Sequence, residues 1–294
     1  MAPSSLNTIQ ELTASELPQL NELVSEAFGY TAPHTFFDDF PIWESDRVKR
    51  FGIFSDITGE KKLISHVGIR FCEMKIPAGR TIPIAMIGAV ATHDGFRGKG
   101  LSSRLLKEAI RISEEKNCDW TILWGSEHDF YKKFGFELAG EQYQASLSTL
   151  EHLPENKIPR VKRGWNPKIF DCLANAPLGV VLYEKDRAWV SNHETVSWFY
   201  HEEPFAFVGF ERGIDLPNIV HEFGGDEMAL QEVLGYVLSL DLSACVLGTK
   251  KVLTHLGFKE EDFIEEYLCL ARPHSKKPEL EWSDDFWVSG LSAC

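Results

Sequence analysis

No stretch of this sequence is apolar for long enough to cross a bilayer, and no basic segment followed by an apolar one stands at its start. A soluble, cytoplasmic chain without a membrane partner is therefore expected. Its six cysteines, Cys72, Cys118, Cys172, Cys245, Cys269 and Cys294, are scattered, and no two form a C-x-x-C pair. That spacing excludes a zinc ribbon and a dense disulfide framework, so reduced thiols and no metal site are expected. Basic side chains are also in deficit: 30 against 44 acidic, for a formal charge of −14. A nucleic-acid partner needs a basic footprint, which this balance does not supply. The acidic surplus favours solubility and adds attraction for a cationic amine.

What is present is ordinary globular material. At 294 residues and 44% apolar content, the chain has enough for about two domains with substantial cores. One stretch organises the first half. Ile84 to Val90 is almost wholly apolar and short, as expected of a strand covered on both faces. Arg97-Gly98-Lys99-Gly100 then breaks the pattern, and Leu101, Leu105, Ala109 and Ile112 recur at helical spacing from Ser102 to about Lys116. A turn without side chains at its glycines admits a ligand close to the backbone. The first N–H groups of the helix and the positive end of its dipole then favour an anion, with Arg97 and Lys99 adding charge. An ordinary solvated basic turn reads the same way locally. A P-loop does not fit, because Gly-Lys is not followed by Ser or Thr where that motif requires it.

The elements before this stretch are legible. Thr13-Ala14-Ser15-Glu16 is a capping-box pattern, followed by Leu17, Leu20, Leu23, Val24, Ala27 and Phe28 and closed by Gly29. Phe36, Phe37, Phe40 and Trp43 form an aromatic cluster best read as a second helix packing on a sheet. Phe51 to Asp56, Lys62 to Ile76 and the organising strand are joined by tight turns into an antiparallel meander. The helix then crosses to a strand over Trp120 to Trp124, a connection that makes the two strands parallel neighbours.

Two motifs in this order carry a resemblance. Arg97-Gly98-Lys99-Gly100-Leu101-Ser102 resembles the pyrophosphate loop of the GNAT superfamily of acyl-CoA-dependent N-acyltransferases, Gln/Arg-x-x-Gly-x-Gly/Ala. Arg97 and Gly100 match that pattern and Ser102 departs from its last position; Asp94 stands where proline is common. After the Trp120 strand, Tyr131-Lys132-Lys133-Phe134-Gly135-Phe136 is similar to the family's second hallmark, with Gly135 ending a short helix and Phe136 starting a final strand. The likeness runs over most of residues 5 to 148.

The second half echoes the first. Glu151 to Trp165, with two prolines and the basic cluster Arg160-Val161-Lys162-Arg163, reads as an exposed linker. Beyond it come a strand over Asn218 to Phe223, a helix over Asp226 to Leu240, a strand over Ala244 to Gly248, and Leu253-Thr254-His255-Leu256-Gly257-Phe258 in the place of the tyrosine motif. Gly224-Gly225-Asp226-Glu227 replaces the basic turn, and carboxylates there would repel a diphosphate. The expected architecture is thus α/β (α+β): two GNAT-like units, each a mixed, mostly antiparallel sheet flanked by helices. The catalytic unit is 1–150, the linker 151–165, and a degenerate unit with a C-terminal tail 166–294.

The resemblance implies acetyl-CoA as co-substrate and a primary amine, on a small molecule or peptide, as acceptor. It places the pantetheine arm along backbone groups of Val90, Ala91 and Thr92, and the diphosphate on Arg97, Gly98, Lys99, Gly100, Leu101, Ser102 and Ser103. It makes Tyr131 the general acid for the leaving thiolate, with a backbone N–H near Val90 or Ala91 stabilising the oxyanion. Candidates for the base are Glu127, His128 and, as in some multi-domain relatives, the terminal carboxylate of Cys294; Glu73 and Asp129 are further carboxylates in range. It also places the aromatic cluster on the acceptor side. The alternatives to catalysis are an acyl-CoA sensor and an interaction scaffold. The acceptor's identity and the oligomeric state are not encoded in any motif.

Overall fold

The computed structural model describes residues 8–57, 59–151, 153, 160–274 and 288–292. A short strand, β1 (Ile9–Glu11), precedes α1 (Leu17–Phe28). Thr13 and Glu16 form the reciprocal capping box ahead of α1, and Gly29 closes it in the left-handed region at φ 79°. A single turn, α2 (Phe36–Asp39), follows, and then the meander β2 (Val48–Ile57), β3 (Glu60–Ile76) and β4 (Arg80–Thr92). Helix α3 (Leu101–Glu115) crosses to β5 (Trp120–Trp124), after which come α4 (His128–Lys132) and two strands, β6 (Glu137–Leu138) and β7 (Gln142–Ser146).

Further along lie β8 (Val161–Arg163), α5 (Pro167–Ala174), β9 (Gly179–Val180) and α6 (Arg187–Ser191). A second meander, β10 (Ser197–His201), β11 (Ala206–Phe210) and β12 (Ile219–Gly225), leads into α7 (Glu227–Leu240), β13 (Cys245–Gly248) and α8 (Lys250–His255). The strands β14 (Ile264–Glu266) and β15 (Cys269–Pro273) complete the series. The order β12–α7–β13–α8 repeats β4–α3–β5–α4, and both strand pairs are parallel.

These strands make two mixed, mostly antiparallel sheets. The first runs β1-β2-β3-β4-β5-β15-β6, with β9 on β3; the second runs β14-β7-β13-β12-β11-β10-β8. Each sheet therefore contains a strand from the other side of the 151–165 segment. Strand β15 pairs antiparallel with β5 over five residues, from Cys269 opposite Trp124 to Pro273 opposite Trp120. In return, β7 pairs with β13 from Ser146 opposite Cys245 to Tyr143 opposite Gly248.

Three expectations are corrected by this arrangement. The strand begun after Phe136 lasts two residues and gives way to β7 in the other sheet, because β15 already occupies the edge of β5. The basic cluster read as linker contains β8, whose Val161–Arg163 pairs with His201–Phe199, and Lys162 meets Glu202 at 2.7 Å. Glu73 pairs opposite Pro83, five residues along β3 from the strand's contact with Gly88, and accepts from the Tyr183 hydroxyl; it lies at the far end of the sheet from the site described below.

The core has three main masses. Leu101, Leu105, Leu106 and Ala109 of α3 pack on Val67, Ile69, Ala85 and Ile87 of the first sheet. Ala145, Val208, Val220 and Val246 pack on Val233, Leu234 and Val237 of α7. Between the two lies a layer rich in aromatics, with Phe36, Phe37, Phe40 and Trp43 against Trp189, Trp198 and Phe207. All four residues of the early aromatic cluster are buried, so packing accounts for them. Gly68 is required here, since a Cβ on it would overlap the Trp43 ring.

Candidate active site

The site begins with a fault in β4. Along most of the strand, residues pair one for one with β3, but His66 faces Ala91 whereas Gly68 faces Gly88. One residue of β3 thus opposes two of β4, which is a β-bulge, and Ala89 occupies it at φ 50°. An extra residue inverts the alternation of side chains beyond it. Ala85 and Ile87 accordingly face α3, while Ala89 and Ala91 face the aromatic layer.

The pairing of β4 with β5 stops at the same point. It runs from Ile84 opposite Trp120 to Ile87 opposite Leu123 and goes no further. From Gly88 to Thr92, β4 thus has no partner on its β5 edge among the described residues, and the two strands part. Such an opening between parallel strands, at their C-terminal ends, gives main-chain N–H and C=O groups an extended molecule to pair with.

Beyond the opening, the chain turns into α3. Gly98 and Gly100 lie in the left-handed region at φ 76° and 73°, and a Cβ on either would enter open space. Gly100 is the N-cap of α3 and brings no side chain to cap it. The first bond within the helix is Arg104 N–H to the Gly100 carbonyl, 3.1 Å, so the N–H groups of Leu101, Ser102 and Ser103 precede it. This is a bare helix start of the kind that binds anions. Ser102, the departure from the family pattern, has a structural use: its hydroxyl lies 2.6 Å from Thr92 Oγ1, which lies 2.7 Å from Ser65 Oγ. A chain of hydroxyls therefore fixes the helix start to β4 and β3. Arg97 donates to the Thr92 carbonyl and pairs with Asp94, and Lys99 lies over the Phe96 ring. Both cations stay at the exposed rim of the turn. His93 accepts the Gly95 N–H as part of the same turn.

The second unit closes the corresponding place. Asp226 caps α7 with its own carboxylate, which accepts the Ala229 N–H at 3.1 Å. Gly225 serves tight packing, since a Cβ on it would overlap the Phe205 carbonyl. The helix start is filled by the chain itself.

Tyr131 stands at the C-terminal end of β5, in the short α4, with its ring buried against Phe130 and Phe136. Gly125 leaves room for that ring, which passes 3.3 Å from where a Cβ would be. Burial, and then the charge of Glu127, push the Tyr131 phenol up to about 12, so it holds its proton at neutral pH. Glu127 itself is exposed at the N-cap of α4. His128 points its Nε2 at the Tyr267 carbonyl, 2.8 Å away; a carbonyl only accepts, so this nitrogen carries the proton. Asp129 is exposed on the first turn.

The turn bearing Tyr131 is held from the second half. Gly125 N–H donates to the Leu268 carbonyl at 2.9 Å, His128 to that of Tyr267, and Arg272 Nε donates to the Phe134 carbonyl at 3.0 Å. All three partners lie on or beside β15, which the sequence reading assigned to the degenerate unit alone. No local signal marks Arg272 as a partner of residue 134, because the contact exists only through the exchange of strands. Cys294 lies outside the described residues. The segment before it, Val288 to Ser292, does not: Leu291 packs in the aromatic layer with Ala89 and Ala91, and its N–H donates to Glu222 Oε1 at 2.9 Å. Among the described residues no group of His, Cys, Asp and Glu is arranged to hold a metal ion, and no helix is long and apolar enough to cross a membrane.

Comparison with known proteins agrees with this geometry. The sequence model of the acetyltransferase (GNAT) domain matches residues 8–139. A conserved protein of unknown function from Enterococcus faecalis superposes with a TM-score of 0.65 at 19% identity, over 90% of this chain and 72% of that one. A GCN5-related N-acetyltransferase from Kribbella flavida gives 0.61 at 19% identity, over 90% and 70%, and Eis1 from Mycobacterium abscessus 0.59 at 16%, over 90% and 73%. No curated protein matches the sequence. These solved structures share the fold across both sheets, and the domain match covers the bulged strand, the glycine turn and the tyrosine together. Residues 8–139 thus carry the match to the acetyltransferase (GNAT) domain, and the chain shares its fold with solved GNAT acetyltransferases.

Proposed function

We propose that this protein is an acetyl-CoA-dependent N-acetyltransferase that moves the acetyl group to a primary amine, of a small molecule or peptide, by direct attack. The observation that carries the reading is the parting of β4 and β5 between a bare helix start at Gly100 and the buried ring of Tyr131. In this reading, backbone groups of Val90, Ala91 and Thr92 pair with the pantetheine amides, and the N–H groups from Gly98 to Ser103 take the diphosphate. The acceptor amine must be neutral to attack, the developing oxyanion must meet an N–H near Val90, and the sulfur must receive a proton or a hydrogen bond as it leaves.

Tyr131 supplies the last of these. A phenol pushed up to about 12 is a reluctant acid beside a thiol at about 8.5. Its work is therefore to donate a strong hydrogen bond to the departing sulfur, with proton transfer completed late. Glu127, whose charge reaches the Tyr131 hydroxyl, is the carboxylate we assign to draw the amine's proton through solvent. His128 is tied through Nε2 and keeps only Nδ1 for such a role, and a terminal carboxylate on Cys294 is the remaining candidate. The catalytic unit is 1–150; residues 166–294 form a degenerate unit, a division supported by the filled helix start at Asp226.

The test is Tyr131→Phe. Loss of the hydroxyl lowers kcat about 100-fold, as read by thiol release with a panel of primary amines, and leaves CoA affinity by calorimetry within about twofold. CoA binding without thiol release from any amine in the wild type would favour the sensor reading. No CoA binding at all would leave the scaffold.

A further inference from the structure

Beside the bulge lies a histidine that the reaction as written does not use. His66, on β3, is fully buried and faces the aromatic layer, edge-on to Trp43 with ring centroids 6.4 Å apart. Its Nδ1 is 2.8 Å from the carbonyl oxygen of Ala89, the residue in the bulge. Because a carbonyl only accepts, Nδ1 carries the proton and Nε2 holds a lone pair. Nε2 is buried and meets no partner among the described residues. Burial pushes the ring down to about 4, so it is neutral under physiological conditions.

A neutral, buried imidazole with one orphaned nitrogen needs a reason, since leaving a polar atom unpaired is unfavourable. The peptide plane gives one. The Ala89 carbonyl and the Val90 N–H belong to a single rigid trans unit and point in opposite directions. Fixing the oxygen toward His66 therefore fixes the N–H away from it. His66 is on β3, and the opening left by β5 is on the other edge of β4. We infer that His66 is a positioning residue: through Nδ1–H to the Ala89 carbonyl it sets the peptide plane of the bulge and so aims the Val90 N–H at the thioester carbonyl. The assignment rests on the acyltransferase reading for its purpose, and on the bulge alone for its geometry.

The experiment compares the wild type with His66→Asn, whose amide N–H can stand in for Nδ1–H, and His66→Leu, which cannot donate. Acetyl transfer from acetyl-CoA to hydroxylamine, an acceptor small enough to need no specific site, gives kcat; calorimetry with CoA gives the affinity of the cradle. His66→Leu lowers kcat roughly tenfold or more, with CoA affinity within about twofold, and His66→Asn recovers most of the rate. Nitrogen-15 spectra of the imidazole show the Nδ1–H tautomer from pH 6 to 8, and the Val90 amide resonance moves in the Leu variant but not in the Asn variant. A folded Leu variant with wild-type kcat, an Asn variant as slow as the Leu one, or an Nε2–H ring overturns the assignment. If the wild type neither binds CoA nor transfers acetyl, the acyltransferase reading falls, and the tautomer with the Val90 resonance still decides whether His66 sets the bulge.

Discussion

At Gly100 the backbone itself is the group proposed to bind the diphosphate. Its positive φ and the open space where a side chain would lie make two separate demands on the same atom. A left-handed conformation costs an L-residue about 1–2 kcal/mol, and a side chain there projects toward the position proposed for the diphosphate. Gly100→Leu is therefore expected to fold with a modestly lowered Tm and to bind CoA at least about tenfold more weakly, as measured by calorimetry. A substitution that lowers Tm but leaves affinity intact would show that only the strain matters. The place of Gly100 at the helix start was legible in the sequence because that place is local, fixed by its offset from Arg97 and from the helix it opens. The position of Tyr131, in a short helix after β5, was legible for the same reason, three residues before Phe134-Gly135-Phe136. His66 was not: it acts on Ala89 across a ladder, and nothing near it in sequence marks it. Ser102 departs from the family pattern while standing at the helix start, and the contact of its hydroxyl with Thr92 appears only in the fold.

Among the elements that frame the site, α4 has little support of its own. It has five residues, too few for a stable helix in isolation, yet it must hold the Tyr131 ring in place. The bonds from Leu268, Tyr267 and Arg272 supply what its length does not. Arg272→Ala removes the donor to the Phe134 carbonyl and an ion pair to Glu114. The expected result is a several-fold fall in kcat for thiol release, with CoA affinity unchanged, because the glycine cradle belongs to α3. An unchanged kcat would mean that packing of Tyr131 against Phe130 and Phe136 suffices. Strand–helix–strand order was legible here from periodicity, whereas the bulge in β4 was not. Ala89 reads as one more small apolar residue in a buried run, and only the register against β3 reveals it. The basic segment Val161–Arg163 likewise carries a linker's composition and becomes a strand because β10 offers it an edge.

For the molecule as a whole, two buried histidines make stability depend on pH. His66 and His193 are both fully buried; burial depresses His66 to about 4, while burial and then the nearby Arg212 charge depress His193 to about 3. Each is released to about 6.5 on unfolding. Between these values the unfolded chain binds more protons, so stability is retained above about pH 6.5 and falls as pH drops toward 4. The loss between pH 7 and pH 5 is about 2 kcal/mol for each histidine, measurable as a shift in the urea midpoint, and His193→Asn should remove one share of it. A midpoint independent of pH in this range would mean that neither ring is desolvated. Composition and motifs pointed to two similar units, and the repeat of β12–α7–β13–α8 agrees. The crossing of β7 and β15 was invisible because each strand looks alike whichever sheet it joins.

That crossing has a consequence for how the chain is made. Strand β5 leaves the ribosome early, but its outer neighbour, β15, follows about 145 residues later. At roughly 5–20 residues per second, the exposed edge of β5 and the turn carrying Tyr131 wait on the order of ten to thirty seconds for completion. An open strand edge is a template for mispairing throughout that interval. Synthesis is thus the stage at which the β5 edge stands open to mispairing, and the turn carrying Tyr131 is among the last parts to be set.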